Sequence, residues 1–336
     1  MRIILDAMGT DHAPRSEVAG ALEALQALDS DVEIVLVGDR EIIEAELAKY
    51  DVVPDRLSIH HASDRVTPDD SPASVIRRKP ESSIVVGLRL HKDGTADGFV
   101  SAGSTGAIMA TSHFALRPLP GVDRPTVATT LPTSQLPVLL LDAGANVDCK
   151  PHHLVQFAHL GNIYAQDMMG RSEPRIALLN IGEEPGKGDE LSATTHRLLC
   201  HEAGLNFVGN VEGRDIITGL CDVVVCDGFV GNVLLKFYES ISDFFMGLLS
   251  DEAARAGGSP ILDRMLGALK YWDYAETGGA PLLGVGGVSL ICHGESRPKA
   301  ISNALRQAVR AVRSNMVEHS AQELSRALEE SSREAS

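Results

Sequence analysis

The chain has 336 residues, of which 44% are hydrophobic, so it can bury a large core as one large domain or two fused lobes. Its net charge of −16, from 30 basic and 46 acidic residues, argues against nucleic acid as the main partner. An anionic substrate would need a local basic patch, for which Arg77-Arg78-Lys79 is the best candidate. The alternative for this run is a solvated helix end.

The cysteines and the N-terminal residues indicate the compartment. The five cysteines show neither paired metal-ligand spacing nor a redox motif, which is typical of a reducing cytosol. The N-terminus enters a strand at once with Arg2-Ile-Ile-Leu-Asp6, unlike a signal peptide. No uninterrupted apolar stretch of the sequence is long enough to span a bilayer. We therefore expect a cytoplasmic protein.

Apolar runs alternate with helical patterns, which predicts an α/β fold with a mostly parallel sheet covered by helices on both faces. The predicted strands are, in chain order, Ile3–Leu5, Glu33–Val37, Leu57–His60, Gly98–Val100, Thr126–Leu131, Val138–Leu141, Arg175–Asn180, Asn206–Val208, Val223–Cys226 and Val288–Cys292. The predicted helices are Ser16–Leu28, Arg40–Tyr50, Pro72–His91, Thr105–Leu116, His153–Met169, Glu190–Ala203, Asn232–Leu249, Pro260–Trp272 and Pro298–His319.

Three strand-to-helix turns share one layout, in which a buried apolar run ends at a polar residue and a glycine-containing turn opens a helix. They are Gly98–Gly106, Arg175–Glu184 and Asp222–Lys236. Main-chain N–H groups at a helix start, reached through a turn without Cβ atoms, bind anions well. Ligands of parallel sheets bind at the carboxyl ends of strands. The turns therefore predict a site for a phosphate-like ligand at one end of the sheet.

The segments Asn232–Leu249 and Pro260–Trp272 carry the heaviest apolar load at helical spacing. They predict a protruding helical hairpin over residues 232–272. Its apolar side chains indicate either internal core or a dimer interface or membrane-surface contact. We interpret residues 1–319 as one α/β domain, and we expect residues 320–336, which are polar and charged, to form a tail or a fraying helix.

Several catalytic and cofactor motifs are absent from the sequence. There is no G-x-G-x-x-G and no H-E-x-x-H, and Ala102 replaces the first glycine of a G-x-S-x-G before Ser104. The run Gly182-Glu-Glu-Pro-Gly-Lys-Gly188 fails as a phosphate loop, because its glycine spacing is one residue short and its last glycine replaces a magnesium ligand. The pairs His60-His61 and His152-His153 would diverge on a strand, so we expect them at the surface. No metal or cofactor is predicted.

Short stretches through nearly the whole chain match one family. They are Asp6–Pro14, Ser101–Gly106, Leu141–Cys149, Leu178–Glu184, Gly209–Gly213, Val225–Asn232 and Gly278–Gly284. In them the chain resembles the acyl-carrier-protein:phosphate acyltransferases of bacterial phospholipid synthesis, the PlsX family. The resemblance implies a Rossmann-like, three-layer αβα fold akin to phosphotransacetylases and isopropylmalate-type dehydrogenases. It also implies a homodimer and peripheral membrane association. Thr10 departs from the family, which usually has a second glycine there.

The resemblance implies transfer of a fatty acyl group from an acyl-carrier-protein thioester to inorganic phosphate. The acyl phosphate would then supply a membrane glycerol-phosphate acyltransferase for phospholipid (phosphatidic acid) synthesis. Phosphate would itself be the nucleophile, because its second pKa is about 6–7 by analogy with phosphoserine and it is largely dianionic near neutral pH. The thiolate is a good leaving group, since a thiol has a pKa of about 8.5. Such a reaction requires positioning and oxyanion stabilisation rather than a Ser–His–Asp relay or a metal.

The predicted phosphate cradle consists of backbone N–H groups of Gly103, Ser104, Thr105 and Gly106, with the side chains of Ser101 and Thr105. An N-cap with tight-turn glycines is the alternative. The family usually has asparagine where Ser104 stands, so the main chain of this loop carries more of the prediction than that side chain.

Three residues are predicted to act in the chemistry. Lys187 would supply positive charge to phosphate or oxyanion, or be a solvated loop lysine. Asn232 would donate to the oxyanion, or cap the helix that it begins. His12 would protonate the departing thiolate, or fix the first turn. Four supporting side chains are predicted to end strands at the same edge of the sheet, and to orient Lys187 and His12 or cap helices: Asp6, Asp142, Asn146 and Asp227.

Arg77 and Arg78 are predicted to dock the acidic carrier protein or its phosphopantetheine phosphate. The hairpin would hold the acyl chain and contact the membrane or a second subunit, with Phe245, Leu266 and Trp272 as its contact residues.

Three rival functions remain open from the sequence. A phosphotransacetylase acting on acyl-coenzyme A shares the implied fold and nucleophile. An NAD-dependent hydroxyacid dehydrogenase would need a dinucleotide site and clustered metal-binding aspartates, which the sequence does not convincingly show. A non-catalytic scaffold would not need Gly, Asn, Asp and Lys to converge at strand ends.

Overall fold

The computed structural model describes residues 1–67, 69–255 and 278–334, together with residues 261, 264, 265 and 267. The strands are β1 (Arg2–Asp6), β2 (Glu33–Gly38), β3 (Leu57–His61), β4 (Gly98–Ser101), β5 (Thr126–Leu131), β6 (Val138–Leu141), β7 (Arg175–Leu179), β8 (Asn206–Val211), β9 (Val223–Val225), β10 (Ala280–Leu283) and β11 (Val288–Ile291). The α-helices are α1 (Arg15–Ala27), α2 (Arg40–Leu47), α3 (Val75–Arg78), α4 (Ser83–Lys92), α5 (Thr105–Leu116), α6 (Pro151–Met169), α7 (Glu190–Leu199), α8 (Gly228–Arg255), α9 (Pro298–Arg313) and α10 (Met316–Glu334).

All strands join one 11-stranded sheet in the order β3-β2-β1-β4-β11-β10-β5-β6-β9-β7-β8. The strands from β3 to β11 in this order are parallel to one another, and so are those from β6 to β8. Between these two groups, the pairs β11–β10, β10–β5 and β5–β6 are antiparallel. The three reversals make the second parallel group run opposite to the first.

Helices cover both faces of this sheet, as the alternating pattern predicts. Ile3 and Leu5 on β1 pack on the face covered by α1, α6 and α9, whereas Ile4 packs on the opposite face against α4 and α5. All three side chains are buried, because a strand inside a parallel sheet has apolar neighbours on both faces. The predicted α/β fold with a mostly parallel sheet is confirmed.

Two predicted helices are interrupted in the structure. The segment predicted as Pro72–His91 forms a short 3₁₀ turn, α3 and α4, because the ring of Pro80 keeps Lys79 out of the helical region, at φ −130° and ψ 58°. The segment predicted as Pro298–His319 divides into α9 and α10, and Asn315 between them has a φ of 53°. α10 continues through the predicted polar tail to Glu334, with Leu324 buried in the core.

Helix α8 forms the first arm of the predicted hairpin and begins earlier than expected, at Gly228. The predicted second arm, Pro260–Trp272, lies outside the described residues except at four positions, and Leu266 and Trp272 are not among these. In the part of the chain that the structure describes, no helix combines the length and apolarity needed to cross a membrane.

Candidate active site

A cavity of ≈ 290 Å³ lies near the middle of the sheet. Its walls include the loops after β4, β6 and β11, the strands β5 and β10, and the helices α6, α8 and α9. The residues that line it include Gly103, Thr105, Gly144, Tyr164, Asn232 and Lys236.

The carboxyl ends that border this cavity come from both parallel groups. The prediction that Asp6, Asp142, Asn146 and Asp227 share one edge of the sheet is therefore wrong, because β1 runs opposite to β6 and β9. The strand register brings these ends close together. The end of β4 pairs with the end of β11, which in turn pairs with the start of β10, and the end of β6 pairs with the middle of β5. Loops from both groups consequently reach the same cavity.

A buried carboxylate orders the loop after β4. Ser101 donates its hydroxyl to Oδ2 of Asp6 over 2.6 Å, and its oxygen accepts the N–H of Gly103 at 3.0 Å. Burial raises the pKa of the Asp6 carboxyl. Ser101 and the Gly103 N–H are thus engaged inside the protein, which differs from their predicted role as phosphate donors.

The first turn of α5 is the better anion site in this loop. Ser104 is the N-cap residue, but its side chain makes no capping hydrogen bond. The first N–H groups of a helix lack intrahelical partners and carry the positive end of the helix dipole. Thr105 lines the cavity, and Gly106 lets the turn approach Pro72, whose Cγ would lie 2.8 Å from a Cβ at that position. Thr105 is therefore well placed to meet an anion in the cavity.

The first turn of α8, by contrast, is already capped. Oδ1 of Asp227 accepts the N–H groups of Phe229 at 2.9 Å and Val230 at 3.0 Å. Asp227 therefore follows the helix-capping alternative of its prediction. Asn232 is an interior residue of α8 and does not cap it, so that alternative for Asn232 is wrong.

The first turn of α8 packs tightly against the loop after β6, which places Asn232 at the cavity. A Cβ at Gly231 would overlap the carbonyl oxygen of Asp142, so only glycine permits this approach. Gly144, at φ +134°, is so close to Asn232 that a Cβ on it would lie 3.2 Å from Oδ1 of that residue. Asn232 is exposed and lines the cavity, and its side-chain amide makes no hydrogen bond with the residues that the structure describes.

Asp142 holds the loop after β6 in place. Its Oδ1 accepts the N–H groups of Val127, Gly144 and Ala145, and its Oδ2 accepts both the N–H and the side-chain amide of Asn146. The side-chain amide of Asn146 also donates to the carbonyl of Pro125 over 2.8 Å. Asp142 and Asn146 therefore shape the cavity wall, and none of their hydrogen bonds with described residues reaches Lys187 or His12.

Lys236 is the lysine that lines the cavity, one helical turn after Asn232. It forms an ion pair of 2.8 Å with Glu239, which also lines the cavity. Asn232, Leu235, Lys236 and Glu239 follow the spacing of one helix face, so the sequence signal for this wall is the helical period after the Asp227 turn. The sequence analysis gave the charge of the site to Lys187 and not to Lys236.

Lys187 and His12 do not line the cavity. Lys187 is exposed in the loop after β7, and it forms no ion pair with the described residues. The side-chain amide of Asn180 donates to its carbonyl over 3.0 Å. The His12 ring is exposed and makes no hydrogen bond within the described ranges. The neighbouring Asp11 N–H donates to Gly294, a cavity residue, so His12 borders the site without entering it.

The arginines predicted to dock a carrier end α3. Arg77 and Arg78 are exposed, and neither has a carboxylate partner among the described residues. Lys79 differs, since it pairs with Asp70 at 2.8 Å and Asp64 at 3.7 Å. Arg77 and Arg78 thus keep their charges available for an acidic partner.

Asp123, His152 and His153 form a cluster of possible metal ligands at the start of α6. His153 is buried, so its predicted surface position is wrong; the pair begins a helix instead of a strand. Its Nδ1 accepts the N–H of Lys150 at 3.0 Å, and burial lowers the pKa of the ring. In the neutral ring Nε2 then carries the proton, which leaves no lone pair for a metal. The proximity of His152 and Asp123 is explained by their own contact, with Nε2 of His152 3.0 Å from Oδ2 of Asp123.

Thr10 is hydrogen-bonded to a buried glutamate beside the site. Its N–H and hydroxyl donate to the two carboxylate oxygens of Glu17 over 2.7 and 3.0 Å. Burial raises the pKa of Glu17 to about 7. The departure from glycine at Thr10 therefore comes with a specific hydrogen-bonding role.

We expect Glu17→Gln to stabilise the protein above neutral pH. The folded pKa of about 7 lies above the ordinary value of 4.5, so the folded state favours the protonated form. The stability of the wild type relative to the variant should therefore fall as pH rises from 4.5 through 7, by about 3 kcal/mol in total. Urea unfolding at several pH values measures this difference. The exposed Glu23→Gln on the same helix is the control, and equal profiles for both variants would contradict the prediction.

Comparison with known proteins identifies relatives across the whole chain. A family model described as "Fatty acid synthesis protein" matches residues 1–319. The phosphate acyltransferase of Desulforamulus reducens is 51% identical, over 94% of this chain and 95% of its own. That of Heliobacterium modesticaldum is also 51% identical, over 94% and 96%.

Solved structures share the fold at low sequence identity. The EutD phosphotransacetylase from Staphylococcus aureus has a TM-score of 0.62 and 17% identity, covering 94% of each chain. A phosphotransacetylase from Streptococcus pyogenes also has a TM-score of 0.62 and 17% identity, covering 93% of this chain and 94% of its own. The fold is thus that of the phosphotransacetylases, and the full-length sequence matches show that this chain is an acyltransferase of the phosphate acyltransferase family.

Proposed function

We propose that the protein transfers a fatty acyl group from an acyl-carrier-protein thioester to inorganic phosphate, and that the acyl phosphate serves phospholipid (phosphatidic acid) synthesis. The observation that carries the proposal is one cavity that joins an uncapped helix N-terminus at Thr105 to the amide of Asn232 and the ammonium of Lys236. This combination offers donors to an anionic nucleophile and to a carbonyl oxygen at the same time.

In this mechanism the N–H groups of the first turn of α5 hold phosphate, and Lys236 offsets its charge. The phosphate oxygen attacks the thioester carbon. The amide of Asn232 donates to the oxygen on which negative charge develops. The tetrahedral intermediate then expels the thiolate, which takes a proton from solvent at the cavity mouth. The protein therefore accelerates the reaction by positioning and by electrostatics.

The test is phosphate-dependent release of thiol from a long-chain acyl-carrier protein, with the matching acyl-coenzyme A assayed beside it. We expect release to require phosphate, to be faster with the carrier, and to give acyl phosphate. Faster reaction with coenzyme A would instead support the phosphotransacetylase alternative. Thiol release without phosphate would refute the acyl transfer.

Two lysine variants in this assay identify the cation that acts. Lys236 lines the cavity, whereas Lys187 does not. We expect Lys236→Ala to raise the KM for phosphate by about tenfold, which is the effect of losing one charged hydrogen bond, and Lys187→Ala to change it little. The reverse result would restore the sequence-based assignment of Lys187.

We also propose that α8 lies against a membrane surface while it holds the acyl chain. An apolar stripe of exposed side chains follows one face of this helix: Val230, Val233, Phe237, Ile241, Phe244 and Leu248. Phe245 flanks the stripe and is also exposed. A continuous apolar face of this kind on an amphipathic helix supports contact with lipid or with a second subunit.

Phe245→Glu should weaken binding to vesicles of phosphatidylglycerol and phosphatidylethanolamine, because it places a charge in the lipid contact. Ser250→Glu adds the same charge on the same helix away from the stripe and should bind as the wild type does. Vesicle flotation measures both. Unchanged flotation of Phe245→Glu would remove the membrane proposal. The homodimer, the cytoplasmic location and the downstream glycerol-phosphate acyltransferase stay predictions.

A further inference from the structure

The wall of the cavity formed by α6 and α9 carries a polar pair that the proposed chemistry does not use. Tyr164 on α6 and Gln307 on α9 both line the cavity, and the amide of Gln307 donates to the Tyr164 hydroxyl oxygen over 3.0 Å. Tyr164 is only 5% exposed. Burial raises the pKa of its phenol, so the hydroxyl stays protonated.

This pair has one donor and one acceptor to spare. Among the described residues, the Tyr164 hydroxyl donates to no acceptor, and Oε1 of Gln307 is buried without a partner. If the amide is turned over, Tyr164 donates to Oε1 and the NH₂ group is spare, while the phenol oxygen still accepts. Either arrangement offers a donor and an acceptor. An unpaired buried polar atom destabilises a structure, so a ligand that supplies both partners is favoured.

The space behind the pair cannot supply these partners. It is a void of ≈ 10 Å³ lined mainly by apolar side chains, among them Met168, Leu282 and Leu290. A water molecule needs at least roughly 10–15 Å³ and two or more polar partners. The spare donor and acceptor are therefore open to a partner from the cavity side.

The chemistry of the pair selects among the groups that the reaction brings into the cavity. An acyl tail would leave both polar atoms unpaired. A phosphate dianion would bring charge to a buried neutral pair, and the lysine that lines the cavity, Lys236, lies on another element. A neutral amide has one N–H and one C=O, which matches the pair.

We propose that Tyr164 and Gln307 form a binding subsite for an amide group in the thiol arm of the acyl donor. The inference rests on the proposed function, because it assumes a thioester donor in this cavity. It makes the two residues specificity determinants rather than participants in the chemistry. The subsite would favour donors whose thiol carries an amide a few atoms from sulfur.

The test compares octanoyl thioesters that differ only in the thiol. N-acetylcysteamine carries one amide, and ethanethiol carries none. We expect Tyr164→Phe to lower kcat/KM for the N-acetylcysteamine thioester about tenfold, the effect of one lost buried hydrogen bond, and to leave the ethanethiol thioester nearly unchanged. Gln307→Met should show the same selectivity, so the test does not depend on one variant folding well. Tyr50→Phe, on a tyrosine packed at the core away from the cavity, is the control.

Equal losses for both thioesters would overturn the inference, because the pair would then be structural only. A raised KM for phosphate with unchanged discrimination between thioesters would also overturn it, because the pair would then bind phosphate. Wild-type protein that makes acyl phosphate neither from these thioesters nor from a long-chain acyl-carrier protein would instead refute the proposed function itself, and the inference with it.

Discussion

Replacing Asn232 with alanine should lower kcat for phosphate-dependent thiol release by about 10²- to 10³-fold, the effect typical of removing one oxyanion donor. The side chain lies in the cavity beside Gly144, close to the uncapped start of α5. The KM values for thioester and phosphate should change far less than kcat, because the charge that Asn232 stabilises develops only in the transition state.

The fold should tolerate this substitution. Asn232 lies within α8, away from its ends, and its side chain is exposed. Alanine has a higher helix propensity than asparagine. A loss of activity would therefore not reflect unfolding. Asn232→Asp should be at least as damaging, since it replaces a donor with a negative charge. Ser240→Ala, two turns along the same helix, is the control. A fall in kcat of less than about fivefold for Asn232→Ala, below what a donated hydrogen bond supplies, would contradict the oxyanion role.

Replacing Asp142 with alanine should give the largest loss of stability, about 4 kcal/mol in the free energy of unfolding. The carboxylate is 0% exposed, and it accepts hydrogen bonds from Val127, Gly144, Ala145 and Asn146. Alanine would leave these donors without their acceptor in a region that water does not reach. The loop that places Gly144 beside Asn232 would also lose its anchor, so activity should fall as well.

Urea unfolding with an unchanged m-value measures this effect. Asp148→Ala is the matched control, because Asp148 belongs to the same loop but is exposed. If the two variants unfold within about 1 kcal/mol of each other, a difference comparable to a single hydrogen bond, the anchoring role of Asp142 is wrong.

Apolar periodicity predicted most of the strands, and it could not predict how they are ordered across the sheet. The strands Thr126–Leu131 and Val138–Leu141 match the predicted bounds, because the first is β-branched at four of its six positions and the second is an apolar run buried on both faces. β10 was missed, since Ala280–Leu283 is short, contains Pro281 and follows two glycines. It makes two of the three antiparallel pairings, and with the third, β5–β6, they turn the second parallel group opposite to the first, which explains the wrong expectation of a single edge.

The candidate site was predictable where backbone chemistry determines it. The turn before Thr105 and the turn at Asp227 could be located from the glycine and carboxylate positions in the sequence. The first turn borders the cavity, and Asp227 caps α8. The sequence favoured Lys187, because it stands in a glycine-rich loop that resembles a phosphate loop, whereas the lysine that lines the cavity, Lys236, lies in an apolar helix. Tyr164 and Gln307 had no local signal, since only the packing of α6 beside α9 brings them together.

The antiparallel seam between β10 and β5 joins the two halves of the sheet through the pairs Leu282–Val127 and Leu283–Thr126. The anion-binding turn at Thr105 belongs to one half, and Asn232 belongs to the other. In the proposed mechanism, the distance between the phosphate nucleophile and the thioester carbonyl therefore depends on these two residue pairs. Motion between these two strands at Leu282 and Val127 would, in that mechanism, change the alignment of the reacting groups without disturbing either half.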